Sequence, residues 1–347
     1  MNLYTSEGWL NIPALRRDIL PFTAMWGGRG IGKTYGWLKE LRLDNPAPFI
    51  LLRRTQAMID LMNDPDFSPF AAIDRDCGCL TVVKSVNKYV LGFYNGIRSE
   101  DGKVEPAGPP LGYAMALSTI HNIRGFSSDA EFMIYDEFIP EKHERPIQNE
   151  FDALMNAYET INRNRELQGR PPLKLVMLTN ANHLGNPYFL GFGVIMTVQK
   201  MLDNGTEIWK DPARGLMLIN IQRSPISKAK EDTALYKLTR GTAFYDMALG
   251  NEFSGDVFGR IGSLPLSECK PVVVVGELCI YKRKSSSEWY ISGHVSGSPP
   301  VYGSDNANLA RFCRAYPQIW RAYMVDNIIF QNQLCEILFR KYYNVKY

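Results

Sequence analysis

The chain has 347 residues, 45% of them hydrophobic, and a formal net charge of +3 at pH 7. One hydrophobic core seldom serves a chain of this length, so two folded parts are expected. A charge this mild excludes a globally basic nucleic-acid binder, and any such contact must come from local patches.

The six cysteines are scattered along the chain. Cys77 and Cys79 stand too close for a usual zinc pair, and no His or Cys set completes them, so reduced thiols of an intracellular protein are expected. The first residues show no basic-then-apolar leader. The longest apolar runs, such as Pro271 to Val275, are too short to span a bilayer, so a cytoplasmic location and no membrane partner are expected.

In chain order, Phe22 to Trp26 reads as a short buried strand and Tyr35 to Leu43 as a helix. Between them stands Gly27-Gly28-Arg29-Gly30-Ile31-Gly32-Lys33-Thr34, a complete phosphate-binding loop of the G-x-x-x-x-G-K-[ST] type. Its glycines let backbone N–H groups turn inward around a polyphosphate at a helix start. Lys33 would place a charge at the β- and γ-phosphates of ATP, and the Thr34 hydroxyl would ligate Mg²⁺. Arg29 is left open between the phosphates, the catalytic carboxylate and solvent.

Pro48 to Arg53 follows as a second strand and Gln56 to Asn63 as a helix. Leu80 to Gly92, with Asn95-Gly96, suggests an inserted hairpin before a strand at Tyr113 to Ser118. The stretch from Glu100 to Pro110, dense in Gly and Pro, reads as the most loosely structured of the first half. Glu131 to Asp136 is a buried strand ending in Asp136-Glu137. Pro146 to Leu167 reads as a helix with Phe151, Leu154, Met155, Tyr158 and Ile161 on one face, and Leu173 to Leu178 as a further strand. Such alternation predicts an α/β fold, a parallel sheet with flanking helices whose functional residues sit at the carboxyl ends of the strands.

Adjacent acids at a strand tip divide the labour of a P-loop ATPase. Asp136 would hold Mg²⁺ through water, and Glu137 would polarise the attacking water. No Asn-Lys-x-Asp base reader is present: Asn87-Lys88 runs on into Tyr89 and Val90, so guanine specificity is unsupported.

Arg163-Asn164-Arg165-Glu166 closes the long helix. Its arginines suit either a neighbour's γ-phosphate or the helix C-terminal dipole. Thr179-Asn180, at the next strand tip, suits a γ-phosphate sensor or a plain turn cap. Arg53 and Arg54 end a strand with side chains on opposite faces, open to DNA, to the nucleotide site or to acids of their own domain.

The second half is expected to start with a linker or lid over Arg214 to Arg240. A three-strand meander follows at Pro271 to Val275, Leu278 to Arg283 and Glu288 to Ser292. Lys282, Arg283 and Lys284 form a candidate DNA-phosphate patch or a solvated turn.

Taken together, the loop at 27–34, Phe49-Ile-Leu-Leu-Arg53-Arg54, Asp136-Glu137-Phe138, Arg163-Asn164-Arg165-Glu166, Asn180-Ala181 and Asn186-Pro187-Tyr188-Phe189 resemble the phi29-type bacteriophage DNA-packaging ATPases. The likeness extends to Leu309-Ala-Arg-Phe, Asp326-Asn327 and Leu338-Phe339-Arg340-Lys341, and Ile123-Arg124-Gly125 resembles the wider large-terminase group.

The resemblance implies a P-loop NTPase domain of the ASCE type over residues 1–205 and a linker or lid over 206–243. Over 244–347 it implies an α+β, ribonuclease H-like, vestigial nuclease domain that contacts DNA. It implies ATP and Mg²⁺ as cofactors, with Lys33 and Thr34 on nucleotide and metal, Asp136 on the metal and Glu137 as catalytic base. Arg163 would be an arginine finger acting in trans, with Arg165 as the fallback.

As partners it implies copies of the same chain in a ring, pentameric in the best-known members, together with double-stranded DNA and the portal of a procapsid. A scaffold RNA is left open. The site of action would be the portal vertex in the host cytoplasm. Two competing classes are a nuclease-competent terminase and a P-loop kinase or assembly module.

Overall fold

The computed structural model describes residues 2–123, 125–126, 128–139, 147, 149–180, 184–221, 224–242, 245, 260–325 and 327–343. Arg124, Ala181, Asp326, the expected helix start at Pro146 and the expected boundary at 243/244 lie outside these residues. The chain divides into two compact units, Met1–Ser254 and Gly255–Tyr347.

The first unit is built on a nine-stranded sheet. Its strands are β1 (Phe22–Gly27), β2 (Phe49–Arg53), β3 (Thr81–Asn87), β4 (Val90–Arg98), β5 (Val104–Ala116), β6 (Phe132–Asp136), β7 (Lys174–Thr179), β8 (Ile208–Asp211) and β9 (Leu216–Ile221), in the order β3-β4-β5-β2-β6-β7-β1-β9-β8. From β5 to β9 every pairing is parallel. The strands at both edges run antiparallel to their neighbours. β2, β6, β7 and β9 are almost wholly buried, as apolar runs in a sheet covered on both faces must be.

Two expectations need correction here. Residues 104–110 are strand, because β5 runs unbroken from Val104 to Ala116. Gly112 to Met115 pair with β2 as well as β4, whereas Val104 to Ala107 pair with β4 alone. A strand with one free side tolerates Pro106, and Pro109 and Pro110 fall where the β4–β5 register shifts. Likewise Asn95-Gly96 lies inside β4, and the hairpin turns at Lys88-Tyr89.

Part of the expected linker at 206–243 belongs to the main sheet, as strands β8 and β9. β9 lies beside β1 from Phe22↔Leu216 to Gly27↔Ile221. Its six buried residues, Leu-Met-Leu-Ile-Asn-Ile, carry the pattern of a central strand that the flanking basic residues obscure.

The flanking helices include α1 (Ile12–Asp18), α2 (Lys33–Lys39), α3 (Gln56–Asp60), α4 (Ala71–Cys77) and α5 (Glu150–Asn162). After them come α6 (Pro187–Gly191), α7 (Ile195–Asp203), α8 (Pro225–Lys230) and α9 (Ala234–Thr239). α5 stops earlier than expected because Arg163 (φ 43°) and Asn164 (φ 58°) are left-handed.

In the second unit the expected meander forms as β11 (Cys269–Val275), β12 (Leu278–Arg283) and β13 (Trp289–Ser292), antiparallel throughout. β10 (Arg260–Ile261), β14 (Val301–Tyr302) and β15 (Ile328–Phe330) complete a sheet of order β10-β15-β13-β12-β11-β14. α10 (Asn306–Ala315), α11 (Pro317–Met324) and α12 (Gln333–Tyr343) accompany it.

Candidate functional site

The site gathers at the carboxyl ends of four adjacent strands, β2, β6, β7 and β1. β1 ends at Gly27, and the chain turns through Gly30 (φ 63°) and Gly32 (φ 88°) into α2, which begins at Lys33. Both φ values are ones that a side chain resists. Gly27 serves packing as well: a Cβ there would lie 2.7 Å from the Ile221 side chain on β9.

Lys33 is buried under the loop. Its Nζ donates to the carbonyls of Gly27 (3.0 Å) and Gly28 (2.7 Å) and to Asn180 Oδ1 (3.2 Å). Register explains the last contact: Trp26 is level with Thr179 on β7, so Asn180 lies just past the tip, beside the loop. Burial pushes the Lys33 ammonium down to about 7; Asp136 and Glu137 oppose that shift, and Lys230 and Arg29 add to it. Thr179 is buried, and its hydroxyl donates to the Asn180 carbonyl (3.1 Å). Of the expected sensor pair, only Asn180 therefore faces the lysine.

The Thr34 hydroxyl donates to Asp136 Oδ1 at 2.8 Å, joining the first turn of α2 to the tip of β6. A hydroxyl beside a carboxylate is a hard oxygen donor set of the kind Mg²⁺ takes when phosphates and water supply its other ligands. Arg53 closes the far side. Leu52 is level with Tyr135, so Arg53 and Asp136 end neighbouring strands together. The Arg53 guanidinium lies 2.9 Å from Asp136 Oδ2 and 2.6 Å from Glu137 Oε2. Glu137 has a left-handed backbone (φ 55°) and a side chain 52% exposed. A non-glycine residue there is strained, which fits a side chain aimed out of the strand line.

Of the roles left open for Arg53 and Arg54, the structure shows the pairing with acids of their own unit. Arg53 is paired with the acids of the site. Arg54 is fully buried, its Nε 2.7 Å from Glu150 Oε1, so neither guanidinium faces outward for a duplex. In the second unit Arg283 pairs with Glu288 (2.6 Å), Lys282 Nζ lies 4.4 Å over the Trp289 ring, and Lys284 Nζ donates to the Ser267 carbonyl (2.8 Å). All three make contacts within their own unit.

Arg163 and Arg165 separate clearly. Arg165 is buried, and its guanidinium donates to the carbonyls of Pro171 (3.1 Å) and Ala130. Arg163 is exposed, and its guanidinium donates to the carbonyls of Phe126 (2.8 Å) and Thr160 (3.2 Å). Of the two, only Arg163 is exposed.

Sequence reasoning missed two features of the site. A cavity of about 650 Å³ beside Gly30 and Gly32 is lined by Trp9, Tyr35, Ala72 and Asp76 among others. Its aromatic walls suit a nucleobase. Trp9 is 45% exposed and precedes the loop by a whole helix, and a lone exposed aromatic near a chain start carries no pattern. The second is Lys230, whose Nζ donates to the carbonyls of Arg29 (2.7 Å) and Gly30 (3.0 Å).

Among the described residues no three His, Cys, Asp or Glu side chains gather in a way that could hold a metal ion. In the second unit Glu288 is taken up by Arg260 and Arg283, and Asp305 caps α10. No helix of the described residues is long and apolar enough to cross a membrane.

The family model for the Podovirus DNA encapsidation protein (Gp16) matches residues 107–264. The DNA packaging proteins of Bacillus phages PZA and phi29 are each 32% identical over 237 residues, 66% of this chain and 61% of the relative. The chain thus spans about three fifths of the length of these curated relatives. Among solved structures, the bacteriophage Phi-29 viral genome packaging motor assembly superposes with a TM-score of 0.59 at 22% identity, over 98% of this chain and all of that one. At that identity the likeness speaks for the fold, and the sequence matches speak for the kinship.

Proposed function

We propose that this homologue of the phi29-type DNA-packaging proteins is an ATP-hydrolysing motor that moves double-stranded viral DNA into a procapsid, working as a homo-oligomeric ring at the portal vertex. The observation that carries the reading is the meeting of Lys33, Thr34, Asp136, Glu137 and Asn180 at neighbouring strand tips within one loop of amides. Kinship with DNA-packaging proteins supports DNA as the cargo, and the ring and portal follow from the resemblance to the phi29-type family.

In this reading the loop amides and Lys33 hold the β- and γ-phosphates of ATP, and the base enters the cavity between Trp9 and Tyr35. Thr34 and Asp136 would hold Mg²⁺, which when bound neutralises charge on the transferring phosphate. Glu137 accepts a proton from the attacking water once Arg53 lets go of it. Arg163 of one subunit serves the phosphate of the next, with Arg165 holding the loop that presents it. Among the described residues of the second unit, no cluster of acids supports the nuclease-competent alternative.

The test is steady-state ATP hydrolysis at several protein concentrations, with and without long double-stranded DNA, alongside Glu137→Gln. Turnover that rises more than linearly with protein, responds to DNA and disappears in the variant supports the motor. Turnover linear in protein and indifferent to DNA returns the chain to a kinase or assembly module.

A further inference from the structure

We propose that Lys230 is a second phosphate-contacting lysine of the nucleotide site, and that through it the segment following the main sheet is docked on the loop in a nucleotide-dependent way. The proposal rests on the nucleotide reading above and adds a residue that the loop motif does not contain.

Lys230 is the last residue of α8, and α8 is fixed at its other end. The buried Ser224 caps it by accepting from the Ile226 N–H, and the Ser224 hydroxyl donates to the Gly8 carbonyl (3.2 Å). A Cβ on Gly8 would lie 2.7 Å from the Pro225 side chain, so the N-terminal segment and α8 are in direct contact. From that anchor the Lys230 side chain reaches the middle of the loop, donating to Arg29 O at 2.7 Å and Gly30 O at 3.0 Å. A Cβ on Gly30 would collide with the ammonium group. Glycine at position 30 thus serves this lysine as well as the turn.

Charge points the same way. Arg29, Lys33 and Lys230 converge on one loop, and burial lowers the pKa of both lysines. Asp136 and Glu137, the acids that act on Lys33, are engaged by Thr34 and Arg53. A group of cations around a nest of amides suits a polyphosphate. Neutral carbonyls are weaker partners for an ammonium than phosphate oxygens. The flexible lysine stem allows the ammonium to pass from carbonyl to phosphate without moving α8 far. The result is a tie between the phosphates of the nucleotide and α8.

The test uses the full chain with inorganic tripolyphosphate, which has no base or sugar. Affinity is measured by calorimetry, and amide hydrogen exchange is followed over residues 225–239 with and without the ligand. Lys230→Gln should weaken tripolyphosphate by about 10-fold or more, the scale of a lost charge-assisted hydrogen bond. It should also abolish a ligand-induced slowing of exchange in that segment. Lys230→Arg should recover part of both effects, and Lys228→Gln, an exposed charge on the same helix, should behave like the unaltered chain. Equal or tighter binding by Lys230→Gln, or undiminished slowing of exchange, overturns the proposal. Loss of binding in Lys33→Ala with none in Lys230→Gln overturns it while leaving the nucleotide reading intact. An unaltered chain that binds no tripolyphosphate overturns both.

Discussion

Arg53 and Glu137 form an ion pair at 2.6 Å, and the same guanidinium reaches Asp136 at 2.9 Å, so one arginine holds both acids at the tip of β6. A carboxylate whose oxygen is taken up by a guanidinium has its lone pair occupied and its direction fixed, so it is poorly placed to take a proton from water. Arg53→Ala should therefore raise hydrolysis measured without DNA by about 3- to 10-fold, a range discounted for the exposure of Glu137. The ratio of DNA-stimulated to basal turnover should fall toward one. Lower basal turnover in the variant would show that Arg53 supports the site and does not restrain it.

Arg54 and Glu150 are buried to 0% and 1% side-chain exposure, with the Tyr135 hydroxyl also near the carboxylate (3.5 Å). Removing one partner leaves an unpaired buried charge, so Arg54→Ala should cost about 3–5 kcal/mol of stability in a denaturant titration. Arg54→Met with Glu150→Leu should cost less than either single change. DNA affinity and its salt dependence should follow the folded fraction alone.

Lys33 gives a pH dependence of definite sign. Its value falls from 10.5 to about 7 in the folded chain, so between those pH values the folded protein holds fewer protons there than the unfolded chain. Its contribution to stability therefore rises as pH climbs through that window and is lowest below pH 7. Polyphosphate favours the charged lysine, so binding should take up a proton above pH 7 and weaken as pH rises. Calorimetry of ADP binding at pH 8, in buffers of different ionisation enthalpy, should show net uptake. Lys33→Met should remove the uptake.

Arg163 and Arg165 should part in their variants. Arg165→Ala leaves the carbonyls of Ala130 and Pro171 without their donor and should lower stability by about 2–4 kcal/mol. Arg163→Ala should change stability by about 0.5 kcal/mol or less, since its side chain is exposed, while removing most hydrolysis. Thermal melts read beside turnover separate the two effects.

The loop at 27–34 and the strand ending in Asp136-Glu137 were legible in the sequence because their chemistry is local: each job requires one residue type at one spacing. The parallel sheet was legible too, from apolar runs such as Phe49–Arg53. Alternation along β2 put Arg53 and Arg54 on opposite faces, yet it could not say which acids wait there, since Asp136 and Glu150 come from elements more than eighty residues away. β5 hid behind its prolines, which a strand with one free side accepts. β9 hid between basic flanks. Lys230 carried no signal at all, because a single lysine after a short apolar strand becomes part of a site only once β9 has returned the chain to the side of β1.

The shared site is the centre of the account, and mixing Glu137→Gln chains with Arg163→Ala chains tests it most directly. Each variant alone should hydrolyse little ATP. If Arg163 serves the neighbour's phosphate, mixed rings contain sites with an intact Glu137 in one subunit and an intact Arg163 in the next, and turnover should reappear with a maximum at intermediate ratios. Turnover that stays absent at every ratio, with both variants folded and assembled, would contradict an active site completed across a subunit interface.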